Sequence, residues 1–522
     1  MTDIWATGAP PVVGSADDRY DADVVIIGSG AGGATTAWAL AGSGARVLVL
    51  ERGGFLPREP ENWSARAVFG ERRYHNAEPW RTADRTGALG RPFDSTAHYY
   101  VGGTTKVYGA GLPRLREDDF GPVEHLQGTS PAWPFDYHAL EPYYAEAERL
   151  FRVHGGDGHV GDPTAGPRSG PFPHPPVPHE PYVADLELRL RAQGLHPYPL
   201  ELGIDLGPGR TCRRCGTCDA FPCQVGAKSD AETRALRPAL RSGTVRLLTG
   251  SYATRLDTDP AGRAVTAVQV QRGGRPTTVR AGAVVVSCGA VNSAALLLRS
   301  RSPSHPDGLA NGSGLVGRNL MLHNNSVLLA VDPRRRNPVT FQKTLALNDF
   351  YRSGPHGAFP LGNLQLMGKI GPAMLPGTVP WRLRGAVSAH SLDWWVMSED
   401  LPDPRNRVTL APDGGIVLHR EATNLRAHRG LLRAARRMLH RAGYPLVLSH
   451  RLGIEATGHQ CGTVVAGQDP ARSVLDPYCR SHQVRNLFVV DAGFFPSSAA
   501  VNPTLTIVAQ ALRTARQGAL LP

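Results

Sequence analysis

Four of the chain's seven cysteines, Cys212, Cys215, Cys218 and Cys223, fall within twelve positions of the stretch TCRRCGTCDAFPC. Sulfur at this density can ligate a metal or an iron–sulfur cluster, close into disulfides, or simply pack a loop. The C-x2-C-x2-C-x4-C spacing lacks the second knuckle or histidine pair of a zinc ribbon. Its first part shares the C-x2-C-x2-C run of bacterial iron–sulfur ligation but continues differently. Disulfides are disfavoured in a cytosolic chain without being excluded. The expectation is a metal-free structural loop packed by the following GAKSDAETR, with thiols or a disulfide. Cluster ligation by the four cysteines is the competing reading.

A second constellation lies near the N-terminus, in DADVVIIGSGAGGATTAWALAGSGARVLVLERGG. Val24 to Ile27 is an unbroken apolar run, the mark of a strand buried on both faces. Gly28, Gly30 and Gly33 follow at GxGxxG spacing, then an alanine-rich helix from about Gly32 to Ala41 and a second strand, Val47 to Leu50. Gly28 suits the tight turn, Gly30 the close approach of a pyrophosphate, and Gly33 the packing of helix on strand. The phosphates would sit at the helix N-terminus, where free N–H groups and the dipole favour anions. Glu51 comes eighteen positions after Gly33, close to where an acid accepts ribose hydroxyls. The unit reads as a dinucleotide site, and Glu51 followed by Arg52 and two glycines favours FAD over NAD.

Composition narrows the class. Over 522 residues, 41% hydrophobic and 20% charged content describes a globular chain with ample core. The net charge of +12 comes mostly from scattered arginine, with no alternating basic and aromatic stripe, so nucleic acid is not expected as a partner. The longest apolar stretch, AVVVSCGAVNSAALLL, is interrupted by Ser287, Asn292 and Ser293, which argues against a membrane span. The acidic N-terminus lacks the pattern of a signal peptide, and a cytoplasmic location is expected.

The C-terminal stretch NLFVVDAGFFPSSAAVNPTLTIVAQALRTA contains a strand, Leu487 to Val490, then Asp491, a loop, Asn502-Pro503 and a helix from about Leu505. Pro503 suits a first helical turn, where its missing N–H costs nothing. Upstream, ATGHQCGT places His459 in a glycine-rich turn. Alone, His459 reads as a residue capping backbone groups and Asn502 as a helix N-cap.

Together, GSGAGG, VGGTTKVYGAG, AVVVSCGAVNSAALLLRS, HQCGT and VVDAGFFP…VNPTLT run in one order along nearly the whole chain, and the chain resembles the glucose–methanol–choline (GMC) flavoprotein oxidoreductases. The resemblance implies a Rossmann-type FAD-binding domain and oxidation of alcohols against the flavin. It matches His459 to the catalytic histidine and Asn502 to the second member of a His/Asn pair. A histidine can take the hydroxyl proton as hydride leaves carbon, because its unperturbed pKa is about 6.5. An amide can hold the substrate oxygen without competing for that proton.

By the same resemblance, Gly102, Gly103, Thr104 and Thr105 lie over the flavin and its phosphates. Asp491 stands near the ribityl and phosphate region, Ala492, Pro503 and Thr504 are cofactor-binding, and the backbone of Ala253 meets the adenine. Val107 occupies the place where some relatives carry a histidine bonded to the flavin, so FAD is expected to be held non-covalently. His98 is read as structural. Some GMC subunits that pass electrons to a cytochrome carry a cluster near the position of the cysteine stretch.

The implied fold class is α/β, a Rossmann-type FAD-binding domain (15–130, 210–330 and 450–522) interleaved with an α+β substrate-binding domain on an antiparallel sheet (131–209 and 331–449). The Pro- and Gly-rich stretch 155–182 reads as a surface loop, and REATNLRAHRGLLRAARRMLHRAG as an amphipathic helix ending near Gly443 and covering a sheet. The polar clusters HNNS, FQKTLALNDF, GNLQLMGK and HSLDWWVMSEDL suggest a carbohydrate, glycoside or cyclitol as substrate. One of Trp394 and Trp395 would face the interior and the other a pocket. The electron acceptor is oxygen or another carrier. The alternatives are a dehydrogenase working through a cysteine-ligated cluster and a non-redox lyase on the same fold.

Overall fold

A computed structural model describes residues 19–84, 86–157, 161–355, 357–375 and 377–521. Most of the acidic N-terminal stretch read above lies outside the described residues.

The glycine-rich turn after Ile27 organises the larger of two main sheets. Strand Arg19–Ile27 runs parallel to both of its neighbours, Arg275–Val286 and Val47–Leu50, and Val245–Leu248 extends the sheet beyond the latter. Val24 to Ile27 and Val47 to Leu50 are all buried, as apolar runs without alternation require. The long strand Arg275–Val286 serves two partners along its free edge. Its first half pairs antiparallel with Val265–Arg272, which in turn pairs with Ser251–Thr258. Its last residues pair parallel with Leu487–Val489, bringing the C-terminal chain beside the N-terminal motif. Helix Ala31–Leu40 packs against helix Thr504–Gln517.

The second sheet is antiparallel throughout, in the order Leu446–Arg451, Asn324–Val331, Ser391–Ser398, Asn363–Leu366, Leu345–Leu347 and Tyr198–Pro199. Alternation gives it two unlike faces. Leu328, Leu364, Leu392, Trp394 and Val396 pack with Ala427, Leu431, Ala435 and Met438 of helix Leu425–Arg441. This is the amphipathic helix read from the sequence, and it stops two residues before Gly443, whose φ of +93° suits glycine. His428, on its buried face, bridges Ser326 at 2.8 Å and Ser398 at 3.1 Å. The opposite face carries Asn325, Asn363, Gln365, Trp395 and Met397. Trp395 packs there against an apolar cluster that includes Leu329, Val331 and Met367.

Strand Asn324–Val331 lies wholly in the second sheet, so the chain crosses into it before residue 330. Likewise Leu446–Arg451 extends that sheet past residue 450. Hydrogen-bond ladders set these crossings, and composition carries no trace of them.

The first turn of the N-terminal motif is held by backbone contact. A Cβ at Gly33 would stand 2.0 Å from the Gly28 carbonyl oxygen, whereas one at Gly42 would meet nothing within 4 Å. Gly33→Ala should therefore cost about 1–3 kcal/mol of stability, the usual penalty for overpacking. Gly42→Ala should leave the urea midpoint near wild type, and equal midpoints for the two variants would contradict this account.

Candidate active site

The turn bearing His459 is fastened on two sides. Cys461 and Met321 exchange backbone hydrogen bonds, both at 3.0 Å, and the Gly462 N–H donates to the Ala492 carbonyl at 3.0 Å. These bonds set His459 beside His323, with the two Nδ1 atoms 3.1 Å apart and the rings edge to face. His323 Nε2 lies 2.9 Å from the carbonyl oxygen of Ser498, four residues before Asn502. Burial first, then His323 and the Lys343 charge, push the His459 pKa down to about 3. At neutral pH it is an uncharged imidazole with one basic nitrogen.

Lys343 is almost fully buried and forms a close ion pair with Asp219, which also accepts the Gly368 N–H. Both charged groups crowd Gly109: a Cβ there would stand 2.0 Å from Lys343 Nζ and 1.8 Å from an Asp219 oxygen. Two residues along, Gly111 lies against the Asn502 side chain, with closest approach 3.5 Å from an added Cβ. Asn502 Oδ1 is buried and has no hydrogen-bond partner. Its side chain does not cap helix Thr504–Gln517, whose N-cap is Pro503. The N-cap reading of Asn502 is thus set aside, and its amide is left for another partner.

The N-terminal motif supplies the other half. Gly28, at φ +97°, would push a Cβ to 2.3 Å from the Ser287 carbonyl oxygen, whereas nothing stands within 4 Å of a Cβ at Gly30. The helix that begins at Ala31 has no acidic residue in its first turn and no side-chain cap. Its N–H groups therefore face open space suited to an anion. Glu51 is buried and accepts from Ser29 N–H at 3.0 Å, from the Ser29 hydroxyl at 2.5 Å and from Gly53 N–H at 2.9 Å. Burial raises its pKa against those bonds. The Ser29 hydroxyl also accepts from Gly102 N–H at 3.0 Å, and Gly103 lies close against Gly30. Ser251 N–H donates to the Glu51 carbonyl at 2.9 Å, which brings the strand of Ala253 to the same end of the sheet.

Other expected residues are placed as follows. Thr104 is exposed. Thr105 is a strut, its hydroxyl donating to Gly102 O at 2.5 Å and accepting from Ala231 N–H at 3.0 Å. Arg52 lies between the rings of Tyr99 and Tyr252, 4.2 and 4.0 Å from their centroids, and pairs with Glu78 at 2.9 Å. Asp491 is buried and accepts from Gly289 and Gly493 N–H at 3.0 and 2.8 Å and from the Ser293 hydroxyl. Ala492 and Pro503 are buried, and Thr504 opens the last helix. His98 Nδ1 donates to the Tyr74 carbonyl at 3.2 Å, and burial pushes its pKa down to about 4.

The cysteine stretch folds around buried Lys228, whose Nζ donates to the carbonyls of Cys218 and Phe221 at 2.7 and 2.8 Å. Cys212, Cys215, Cys218 and Cys223 are free thiols, and burial pushes Cys218 up to about 12. Among the described residues, no three His, Cys, Asp or Glu side chains are grouped to hold a metal ion. The stretch has a use that its sulfur pattern does not announce: it carries Asp219 to Lys343.

Four residues of the site were not singled out from the sequence. Lys343 and His323 lie in polar clusters, FQKT and HNNS, whose composition was the only signal. Asp219 was hidden among the cysteines. Gly32, where a Cβ would stand 1.8 Å from the Val490 carbonyl oxygen, was overlooked beside the GxGxxG positions.

Three comparisons agree with this geometry. The GMC oxidoreductase profiles match residues 205–325 and 402–511, and an FAD dependent oxidoreductase profile matches 23–165. The 6'''-hydroxyparomomycin C oxidase of Streptomyces lividus is 33% identical, over 96% of this chain and 92% of its own length. The paromamine 6'-oxidase of Streptomyces fradiae is 32% identical, with the same two coverages of 96% and 92%. Among solved structures, pyridoxine 4-oxidase from Mesorbium loti superposes with a TM-score of 0.67 at 21% identity, covering 95% of this chain and 98% of that one. The two-sheet fold together with the FAD dependent oxidoreductase profile is that of a flavoprotein oxidoreductase. The chain belongs to the GMC oxidoreductase family, FAD-dependent enzymes acting on CH–OH groups.

The open space at Gly30 and the uncapped helix beyond it fit the pyrophosphate of FAD. Gly30→Ala should fold as wild type and bind FAD at least about tenfold more weakly, since backbone approach is lost. Titrating apoprotein with FAD measures this, and unchanged affinity would contradict the placement. The Lys343 charge disfavours His459 imidazolium, so removing the pair together, Lys343→Met with Asp219→Asn, leaves no lone buried charge. The acid limb of flavin reduction should then move to higher pH. A limb that stays or moves lower would contradict the electrostatic coupling.

Proposed function

We propose that the chain oxidises a hydroxyl of a sugar, glycoside, cyclitol or amino sugar at a non-covalently held FAD, with His459 as base and Asn502 holding the substrate oxygen. The observation that carries this reading is the unpartnered, buried Oδ1 of Asn502, four residues after the Ser498 carbonyl that meets His323, whose other ring nitrogen meets His459. FAD, when bound, supplies the hydride acceptor. The basic nitrogen of His459 takes the hydroxyl proton as the C–H electron pair departs, and the alcohol becomes a carbonyl. The Asn502 amide orients the oxygen through both events. Gly28, Gly30, Gly33, Gly102 and Gly103 would cradle the phosphates, with Glu51 toward the ribose.

Val107 offers no nucleophilic atom for a flavin bond, which supports non-covalent FAD. The sugar class is supported by the two Streptomyces relatives, whose names specify aminoglycosides. It is also supported by a cavity of about 600 Å³ beside the 498–502 loop, lined by Asp119, Glu124, Tyr351, Glu399 and Ala500 among others. In this reading the first sheet and the 450–522 segment serve the cofactor, and the second sheet with 131–209 serves the substrate. The flavin is reoxidised by oxygen or another acceptor. Seven free thiols suit a reducing, cytoplasmic compartment.

The test is anaerobic mixing of the holoprotein with a panel of neutral sugars, amino sugars and simple alcohols, followed by the visible spectrum. Bleaching by one sugar class is expected. Bound flavin that no compound bleaches would favour the non-redox lyase instead. His459→Ala should keep its FAD yet reduce it roughly 10²-fold more slowly or worse, and normal reduction would remove the base assignment. Acid precipitation should release the FAD into the supernatant.

A further inference from the structure

We propose that His323 sets the tautomer of His459, so that Nδ1 carries the hydrogen and Nε2 is the basic nitrogen facing chemistry. The inference rests on the reading of His459 as base. It starts from an acceptor that cannot change role. The Ser498 carbonyl only accepts, and His323 Nε2 stands 2.9 Å from it, so Nε2 of His323 bears the hydrogen. The opposite arrangement would press two lone pairs together inside the protein, at a cost of about 1–3 kcal/mol for the unsatisfied carbonyl.

His323 is wholly buried, and burial outweighs the nearby Glu399 and Asp400 carboxylates in pushing its pKa down. A neutral ring with hydrogen on Nε2 has a lone pair on Nδ1. That lone pair is 3.1 Å from His459 Nδ1, which therefore donates. A neutral His459 that donates from Nδ1 has its lone pair on Nε2. The relay runs carbonyl, His323, His459, and each link has one permitted direction.

The surroundings hold His323 in this role. Its backbone is left-handed, at φ +54°, a conformation for which Asn, Asp and His are favoured among residues with side chains. Leu322 N–H donates to Asp400 at 3.0 Å, which anchors the chain just before it. Glu399 is bound by His125 and Ser130, and Asp400 by Arg420 and Thr423, so neither carboxylate competes for the ring. The Lys343 charge, which holds the His459 pKa down, is paired with Asp219.

His323 is a positioning residue, and two variants separate its task from simple packing. His323→Asn keeps an acceptor where Nδ1 stood and suits the left-handed backbone. His323→Leu removes the acceptor. In 15N spectra of histidine-labelled holoprotein, with His459→Ala to assign the ring, His459 should show a protonated Nδ1 and an unprotonated Nε2. This pattern should persist in His323→Asn and become a tautomer mixture in His323→Leu. The limiting rate of flavin reduction should fall on the order of 10–100-fold in His323→Leu and stay within about threefold in His323→Asn, with KM little changed in both. A wild-type His459 protonated on Nε2 would overturn the proposal. So would a His323→Leu protein with wild-type spectrum and rate. Were His459→Ala to reduce flavin normally while the tautomer pattern held, the base reading would fail and the His323 relay would stand.

Discussion

Everything at the site depends on backbone-to-backbone contact at the C-terminal end of the parallel strands. Gly28 lies against Ser287, Gly32 against Val490 and Gly33 against Gly28, each at a distance that no side chain would allow. The contacts clamp three distant chain segments, the N-terminal motif, the strand Arg275–Val286 and the C-terminal strand Leu487–Val489. Because Leu487–Val489 is held there, the segment 491–502 begins beside the N-terminal glycine turn. Gly462 then hydrogen-bonds to Ala492 and the His459 turn follows. Loss of close approach at one glycine would be felt by residues more than four hundred positions away.

Electrostatics sorts the charged residues into two populations. Most arginines are exposed or pair at the surface, where an ion pair contributes little. A smaller set is buried against carboxylates: Lys106 with Asp230 and Glu232, Arg114 with Glu141 and Glu148, and Lys343 with Asp219. Burying such pairs costs desolvation that their attraction recovers only with good geometry, so they specify arrangement more than they add stability. The Lys343 pair is the one whose field reaches His459. It couples a loop of cysteines to the pKa of a histidine more than two hundred residues later in the chain.

The two faces of the second sheet divide labour in the same spirit. Leucines and Trp394 meet helix Leu425–Arg441 and close the core, while asparagines, a glutamine, Met397 and Trp395 occupy the other face. Asn325, with both side-chain polar atoms buried and unpartnered, stands on that second face. Two residues earlier, His323 begins the relay to His459. The register of one strand thereby decides which residues meet the helix and which stand on the other face, since a shift of one residue would exchange them.

What the sequence determined by itself is what local pattern controls. Unbroken apolar runs define buried parallel strands, GxGxxG with a following acid defines a dinucleotide turn, and helical spacing before Gly443 defines the covering helix. Motifs in fixed order marked His459 and Asn502 and the family. The tertiary structure decided what depends on long-range pairing. Asp219 reaches Lys343 only because the cysteine loop wraps Lys228. Asn502 proves free of its helix because Pro503 caps it. The strand Asn324–Val331 belongs to the second sheet through its ladder with Ser391–Ser398. His323 looks like one more polar residue in HNNS until the fold sets a carbonyl on one ring nitrogen and His459 on the other. His323 takes its role from contacts across more than a hundred residues, and no spacing rule of helix or strand can encode them.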